Sequence, residues 1–365
     1  MMTIAGRARK IAMLPLWLLQ LFGMSKSFAA NPVLGNRTLN RMGLHAARYL
    51  SAHLITNFRW FMLSPLVERD LRRQFLRDGV ICIPDFLPAE QFAGLKRELA
   101  SLNGETLEME QGDTLTLIMV LDRQALAAMP VAKAVYESRR FQRLMRFAGA
   151  RIKYPFAAIQ CVKNGYASGT GDPQKTVHSD TFHPTMKSWL FIDPVSDQNG
   201  PFMFVPGSQR LTWKRLKWEY RQSIAGKELA DRYSTRGSLR AGPQDLAAMG
   251  LPQAKPFKVP ANTLVIANTH GFHRRGAAAQ GSSRMALIAP SRTNPFNPLP
   301  GFGFRFWRNA EDRIFKRYWR WAERKAARRG QHASWHPVPT GAFYRCTNSH
   351  NPAAAGRPHN ANAEK

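Results

Sequence analysis

With 365 residues, 44% of them hydrophobic, the chain has enough apolar material for one large core or two modest ones, so it belongs among folded globular proteins. Its 53 Lys and Arg against 24 Asp and Glu leave a formal charge of +29. That excess implies a polyanionic neighbour (a phospholipid surface, nucleic acid or an acidic substrate) and says nothing about fold. Three dispersed cysteines, Cys82, Cys161 and Cys346, suggest neither a disulfide framework nor a zinc knuckle, so a reducing compartment is expected.

Residues 1–30 form a basic and apolar segment: "RARK" at 7–10, "IAMLPLWLLQLFGM" at 11–24, then "SFAA". The outline imitates a secretory signal. A helix lying in the membrane interface, or packed on the protein, explains it equally. Broken by Pro15 and Gln20, the stretch is too short to span a bilayer comfortably. Residues 31–70 read as a helical extension, because "LNRMGLHAARYLSAHLI" repeats apolar residues at three- and four-residue spacing. At 75 the character switches. Asp78-Gly79 turns into a strand at 80–83, and Pro88-Ala89-Glu90 opens an amphipathic helix.

From 151 onward, short β-branched or aromatic runs alternate with turns: "YPFAAIQCV", "SWLFID", "PFMFVP", "NTLVIAN" and "SRMALIAP". The predicted fold is mainly β with flanking helices, a double-stranded β-helix of the jelly-roll or cupin type over residues 71–300. A polar, helix-leaning insertion at 210–255, with Trp213, Trp218 and Tyr220, is a candidate lid. Residues 301–345 form a basic, aromatic helical region. Its 305–329 portion carries ten Arg or Lys against three acidic residues, with Ile314, Tyr318, Trp321 and Ala322 on one face beside Phe315 and Trp319. Such a helix suits an anionic membrane surface or packs its aromatic stripe on the barrel. The 346–365 tail, poor in bulky side chains, is expected to be disordered.

The chemistry concentrates in two places. "KTVHSDTFHPT" (175–185) brings His178, Asp180 and His183 within six positions, which alone is weak. Downstream, a strand runs into His270 and His273, and eleven residues later Arg284 heads another strand. Two histidines and one carboxylate, two close together and the third remote, are the ligand set of non-haem Fe(II) oxygenases: they hold the ion and leave three positions open. A guanidinium on the adjoining strand suits a carboxylate through a two-pronged hydrogen bond.

Five pieces in order, "FLRDGVICIPDFL" (75–87), "HSD" with Thr181, "NGPFMFVPGSQ" (199–209), "GFHRRG" (271–276) and Arg284 with "RTNPF" (292–296), resemble the phytanoyl-CoA dioxygenase family of Fe(II)/2-oxoglutarate oxygenases. The resemblance implies iron on His178, Asp180 and His273, 2-oxoglutarate on Arg284, and O2 as second co-substrate. It implies a hydroxylase that releases succinate and CO2. His270 competes for the distal position, and His273 is favoured because His-Arg-x-Gly follows it. Gln209 stands where the family often has His, at a structural position. Asp180 argues for hydroxylation over halogenation. His183 is read as a surface or core histidine, with lining of the substrate pocket as the alternative. The expected substrate is small or amphiphilic, acyl- or lipid-like, met in the cytoplasm with peripheral contact to anionic membrane and no specific nucleic-acid binding. The other reading is a non-catalytic basic protein that binds anionic lipid or nucleic acid on a degenerate oxygenase fold.

Overall fold

A computed structural model describes residues 4–102, 104–166 and 171–338, so the tail expected at 346–365 lies outside the described residues. Its strands are β1 (Val80–Ile83), β2 (Thr106–Gln111), β3 (Thr114–Val120), β4 (Ala158–Asn164), β5 (Met186–Phe191), β6 (Phe202–Phe204), β7 (Lys255–Pro256), β8 (Leu264–Asn268), β9 (His273–Arg275), β10 (Ser283–Ile288) and β11 (His336–Val338). Eight form one antiparallel sheet in the order β1-β8-β5-β10-β4-β3-β2-β11, and three form a smaller one, β7-β6-β9. This is the double-stranded β-helix predicted from the strand rhythm.

Side-chain alternation builds two cores from the same strands. On β8, Leu264 and Ile266 point outward to the helices at Ala89–Ala100, Pro130–Glu137 and Arg139–Ala148. Val265 and Ala267 point inward and join Phe191, Phe202, Phe204 and Ala286 between the sheets. Every residue of β8 is therefore buried, which is why "LVIAN" is uninterrupted apolar sequence until its last residue. Gly79 ends the preceding helix at φ +82°, a conformation that glycine tolerates best. Gln209 donates from Nε2 to the carbonyls of Leu76 and Arg77 at 3.2 and 3.3 Å, so it serves the end of that helix.

Four helices matter for the site: α1 (Ile4–Leu19), α2 (Leu44–Met62), α3 (Trp213–Ala225) and α4 (Arg305–Ala327). The segment after α1 packs into the protein. Phe28 and Leu34 share a core with Trp218, Leu246 and Phe272, and Arg48 of α2 binds the carbonyls of Leu21, Gly23 and Ser25. Trp218 is therefore a core residue, with its Nε1 donating to Asp245 at 2.9 Å, whereas Trp213 is 76% exposed.

Helix α2 has reversed polarity. It buries His45, Arg48, Tyr49, His53, Thr56 and Arg59 and exposes Leu50, Leu54, Phe58 and Phe61. The buried groups have partners: His45 meets Glu219, itself held by Arg215 of α3, and Arg59 reaches the carbonyls of Asn294 and Asn297. Helix α4 divides its aromatics. Trp319 packs with Leu107, Ile118 and Ala158 and Phe315 lies against Phe156, while Ile314, Tyr318 and Trp321 are exposed. Cys82 is free. No helix among the described residues is long and apolar enough to cross a membrane.

Candidate active site

The small sheet brings the remote ligands together. His178 and His273 exchange both backbone hydrogen bonds at 2.9 Å, and their rings lie 4.4 Å apart. The Asp180 N–H donates to the Thr269 carbonyl at 3.0 Å, which turns its carboxylate toward both rings. Asp180 Oδ1 stands 3.8 Å from Nε2 of His178 and 3.8 Å from Nε2 of His273. Each imidazole is fixed from behind, His178 Nδ1 on the Thr176 carbonyl at 2.7 Å and His273 Nδ1 on the Gly271 carbonyl at 2.9 Å. With the proton held on Nδ1, each Nε2 presents a lone pair to the centre, the arrangement a metal ion needs from its ligands. One potential ligand atom from each of the three residues lies within 4.8 Å of the others.

The electrostatics favour the ligand forms. Burial, reinforced by the neighbouring His273, pushes His178 down to about 3 against the pull of Asp180. Burial likewise lowers His273. Burial alone would raise Asp180, but the Lys187 ammonium, with Arg292 further contributing, holds it well below the usual carboxylate range. Two neutral imidazoles and one carboxylate are the donor set for a divalent ion. His178 Nε2 is buried without a hydrogen-bond partner among the described residues, an orphaned acceptor that a cation would satisfy.

Arg284 occupies the adjoining interior. Strand alternation sends Met285 and Leu287 to the helical side, and Arg284 to the side of Ala286, between the sheets. Its guanidinium lies 5.9 Å from the Phe191 ring centroid, and Phe202 of the same interior stands 5.7 Å from the His273 ring. Nη1 of Arg284 is buried without a partner among the described residues, while nearby Arg275 is paired with Asp172 at 2.6 Å. Burial and the charge of Arg275 lower Arg284 to about 9. A buried, unpartnered guanidinium fits an anionic ligand such as a carboxylate.

His270 stands apart from the cluster. Its Nδ1 donates to the Thr181 carbonyl at 2.7 Å, so Nε2 accepts from the Tyr49 hydroxyl at 3.1 Å and faces His53 Nε2 at 3.2 Å. His183 is buried, with Nδ1 on its neighbour's carbonyl at 3.1 Å. Two lysines escaped the sequence reading. Lys187 Nζ lies 2.9 Å from Asp180 Oδ2, and Lys26, from the N-terminal segment, donates to the Asp180 carbonyl. The first follows Met186 on β5 with no motif around it; the second is 154 residues distant in sequence.

This fold, enclosing a His-Asp-His cluster and an unpartnered arginine, defines a non-haem iron, 2-oxoglutarate-dependent oxygenase. Residues 75–245 match the phytanoyl-CoA dioxygenase (PhyH) family. The match ends before His273 and Arg284, whose placement comes from the geometry above. No match was found among curated proteins. Among solved structures, the chain is similar to the non-haem α-ketoglutarate-dependent epimerase SnoN from nogalamycin biosynthesis: 15% identity, 62% of this chain and 82% of that one, TM-score 0.40. It is also similar to EctD from S. alaskensis with bound Fe: 17% identity, 62% and 76% coverage, TM-score 0.39. A third is HygX from Streptomyces hygroscopicus with nickel and 2-oxoglutarate bound: 15% identity, 61% and 86% coverage, TM-score 0.36.

Proposed function

We propose that the protein hydroxylates an unactivated C–H bond of an anionic, amphiphilic substrate of acyl- or lipid-like character. His178, Asp180 and His273 would hold Fe(II), and Arg284 would hold the remote carboxylate of 2-oxoglutarate. The bound ion and co-substrate would supply the oxidising chemistry, with O2 consumed and succinate and CO2 released. The chain's own part is orientation. The Thr176 and Gly271 carbonyls keep both imidazoles in the Nδ1–H form, and the antiparallel bridge between 178 and 273 fixes their spacing. Phe191, Phe202 and Phe204 keep water from the interior that Arg284 enters.

The substrate class rests on the charges around Asp180. Lys187, Arg292, Lys26 and Arg240 all act on this carboxylate electrostatically; Arg240 is also paired with Asp231 at 3.5 Å, so four cations face two anions. Such an excess favours a phosphate or carboxylate headgroup at the entrance.

The observation that carries the reaction class is the convergence of both Nε2 atoms on Asp180 Oδ1, each at 3.8 Å. The test is succinate release by purified protein given Fe(II), 2-oxoglutarate and O2, with acyl-CoAs, phospholipids, fatty acids and osmolytes as candidate substrates. The expected result is iron-dependent turnover that Asp180→Ala abolishes. A protein that binds Mn(II) yet yields no succinate, even uncoupled, would instead support the non-catalytic basic binding role.

A further inference from the structure

Helix α4 sorts its charges as well as its aromatics. Its three acids are buried or engaged: Asp312 is 7% exposed, Glu311 pairs with Lys153, and Glu323 meets His332 Nδ1 at 2.7 Å and the Ala333 N–H at 2.8 Å. Trp319 and the pairing of Lys316 with Glu105 and Asp122 fasten one side of the helix to the protein. The other side carries Ile314, Tyr318 and Trp321, which are 62%, 58% and 52% exposed and follow one another at helical spacing. Arg317, Arg324 and Arg328 form a second row beside them, since Arg317 and Arg324 lie three or four positions from Trp321 and Arg328 lies four beyond Arg324. All three arginines are exposed and have no acidic partner among the described residues; Arg324 Nε donates only to the Arg320 carbonyl, at 3.1 Å. Exposed Lys325 extends the apolar row, with its ammonium 5.0 Å from the Trp321 ring centroid. An apolar row edged by free cations is a surface that something covers.

We infer that this face of α4 docks into the interfacial layer of an anionic phospholipid bilayer. Charge complementarity selects the occupant: three exposed guanidiniums and an ammonium flank the apolar row, while the acids of the helix are occupied elsewhere. Isoleucine, tyrosine and tryptophan beside arginines match the acyl boundary and the phosphates of an anionic leaflet. Nucleic acid suits the face less well. The Tyr318 and Trp321 rings lie against each other at 5.9 Å and Lys325 covers the indole, so these rings are not laid open as a platform for stacked bases. A second copy of the same face would bring like charges together. Since no helix among the described residues meets the length and apolarity of a membrane span, the contact lies along the surface. The inference is independent of the catalytic reading, because it needs no metal and no turnover.

The test is flotation of the full chain with phosphatidylcholine vesicles, with and without phosphatidylglycerol, at low and high salt. Wild type floats with the anionic vesicles and releases in high salt. Two variants, Ile314→Ser/Tyr318→Ser/Trp321→Ser and Arg317→Gln/Arg324→Gln/Arg328→Gln, each bind these vesicles at least about tenfold more weakly. Their melting temperatures stay near that of wild type, because every substituted side chain is exposed. An Arg69→Gln/Arg139→Gln/Arg143→Gln variant loses the same charge from exposed positions on other helices and keeps vesicle binding. That comparison separates this face from the overall charge of +29. Four results would overturn the inference: no flotation of wild type, equal flotation with neutral vesicles, equal weakening in the Arg69 variant, or oligonucleotide binding or self-association that the α4 substitutions abolish without any vesicle binding.

Discussion

The Tyr49 hydroxyl of α2 lies 3.1 Å from Nε2 of His270, three residues before the ring that faces Asp180. An N-terminal helix thus braces the turn that presents the distal ligand. His270→Phe should lose Mn(II) affinity by only a fewfold while costing about 1–3 kcal/mol of stability, because Tyr49, His53 and the Thr181 carbonyl lose a buried partner. His273→Ala should do the opposite, abolishing Mn(II) binding. Calorimetric titration of both variants, alongside denaturant unfolding, checks the pair. Equal loss of metal affinity would remove the distinction between the two histidines.

Lys187 opposes a divalent cation at the site, since its ammonium lies 2.9 Å from Asp180 Oδ2. Its side chain is 33% exposed, so solvent screens the interaction. Lys187→Met should tighten Mn(II) binding by on the order of tenfold. Weaker binding would assign the lysine the opposite task, orienting the carboxylate.

Arg284 is a buried cation with no counterion among the described residues. Arg284→Met should leave the apo protein unharmed or more stable by about 1–4 kcal/mol, since a buried uncompensated charge is exchanged for an apolar side chain. The same variant should lose the rise in melting temperature that 2-oxoglutarate gives the metal-loaded wild type. A destabilised variant that still responds to 2-oxoglutarate would contradict the assignment.

Acid should unfold this protein through its buried histidines. Burial lowers His53 and His183 to about 3 in the folded state, against an ordinary value of about 6.5 in the unfolded chain. Between these values the unfolded chain binds more protons. The stabilisation is therefore complete above pH 6.5 and falls as pH drops toward 3. Each ring contributes a slope of about 1.4 kcal/mol per pH unit in that window. Urea midpoints measured from pH 7.5 to 4.5 should decline, and His53→Phe should flatten the decline.

Much of the centre was legible because its chemistry is tied to residue type. His178, Asp180 and His273 are the residues an iron site uses, and Arg284 heads a strand that alternation turns inward. Strand rhythm likewise foretold the sheets, since β8 and β10 are short apolar runs between turns. What escaped were features set by distant partners. Periodicity foretold α2 as a helix, but not that His45, Tyr49 and His53 would face inward. That choice is made by Glu219 and His270, 174 and more than 200 residues away. Trp218 looked like a lid residue because "WKRLKWEYRQ" is polar; the cluster of Phe28, Leu246 and Phe272 makes it core instead. Lys26 and Lys187 carry no motif, so only folding brings them to Asp180.

The stretch matching the family, 75–245, is not a cassette that could be lifted out and grafted elsewhere. Beginning the polypeptide at residue 75 would strip the ceiling from Glu219, Phe182 and His270, leaving a buried acid and imidazole open to solvent. Swapping N-terminal segments between relatives should therefore fail unless the facing surface of the insertion is exchanged with them.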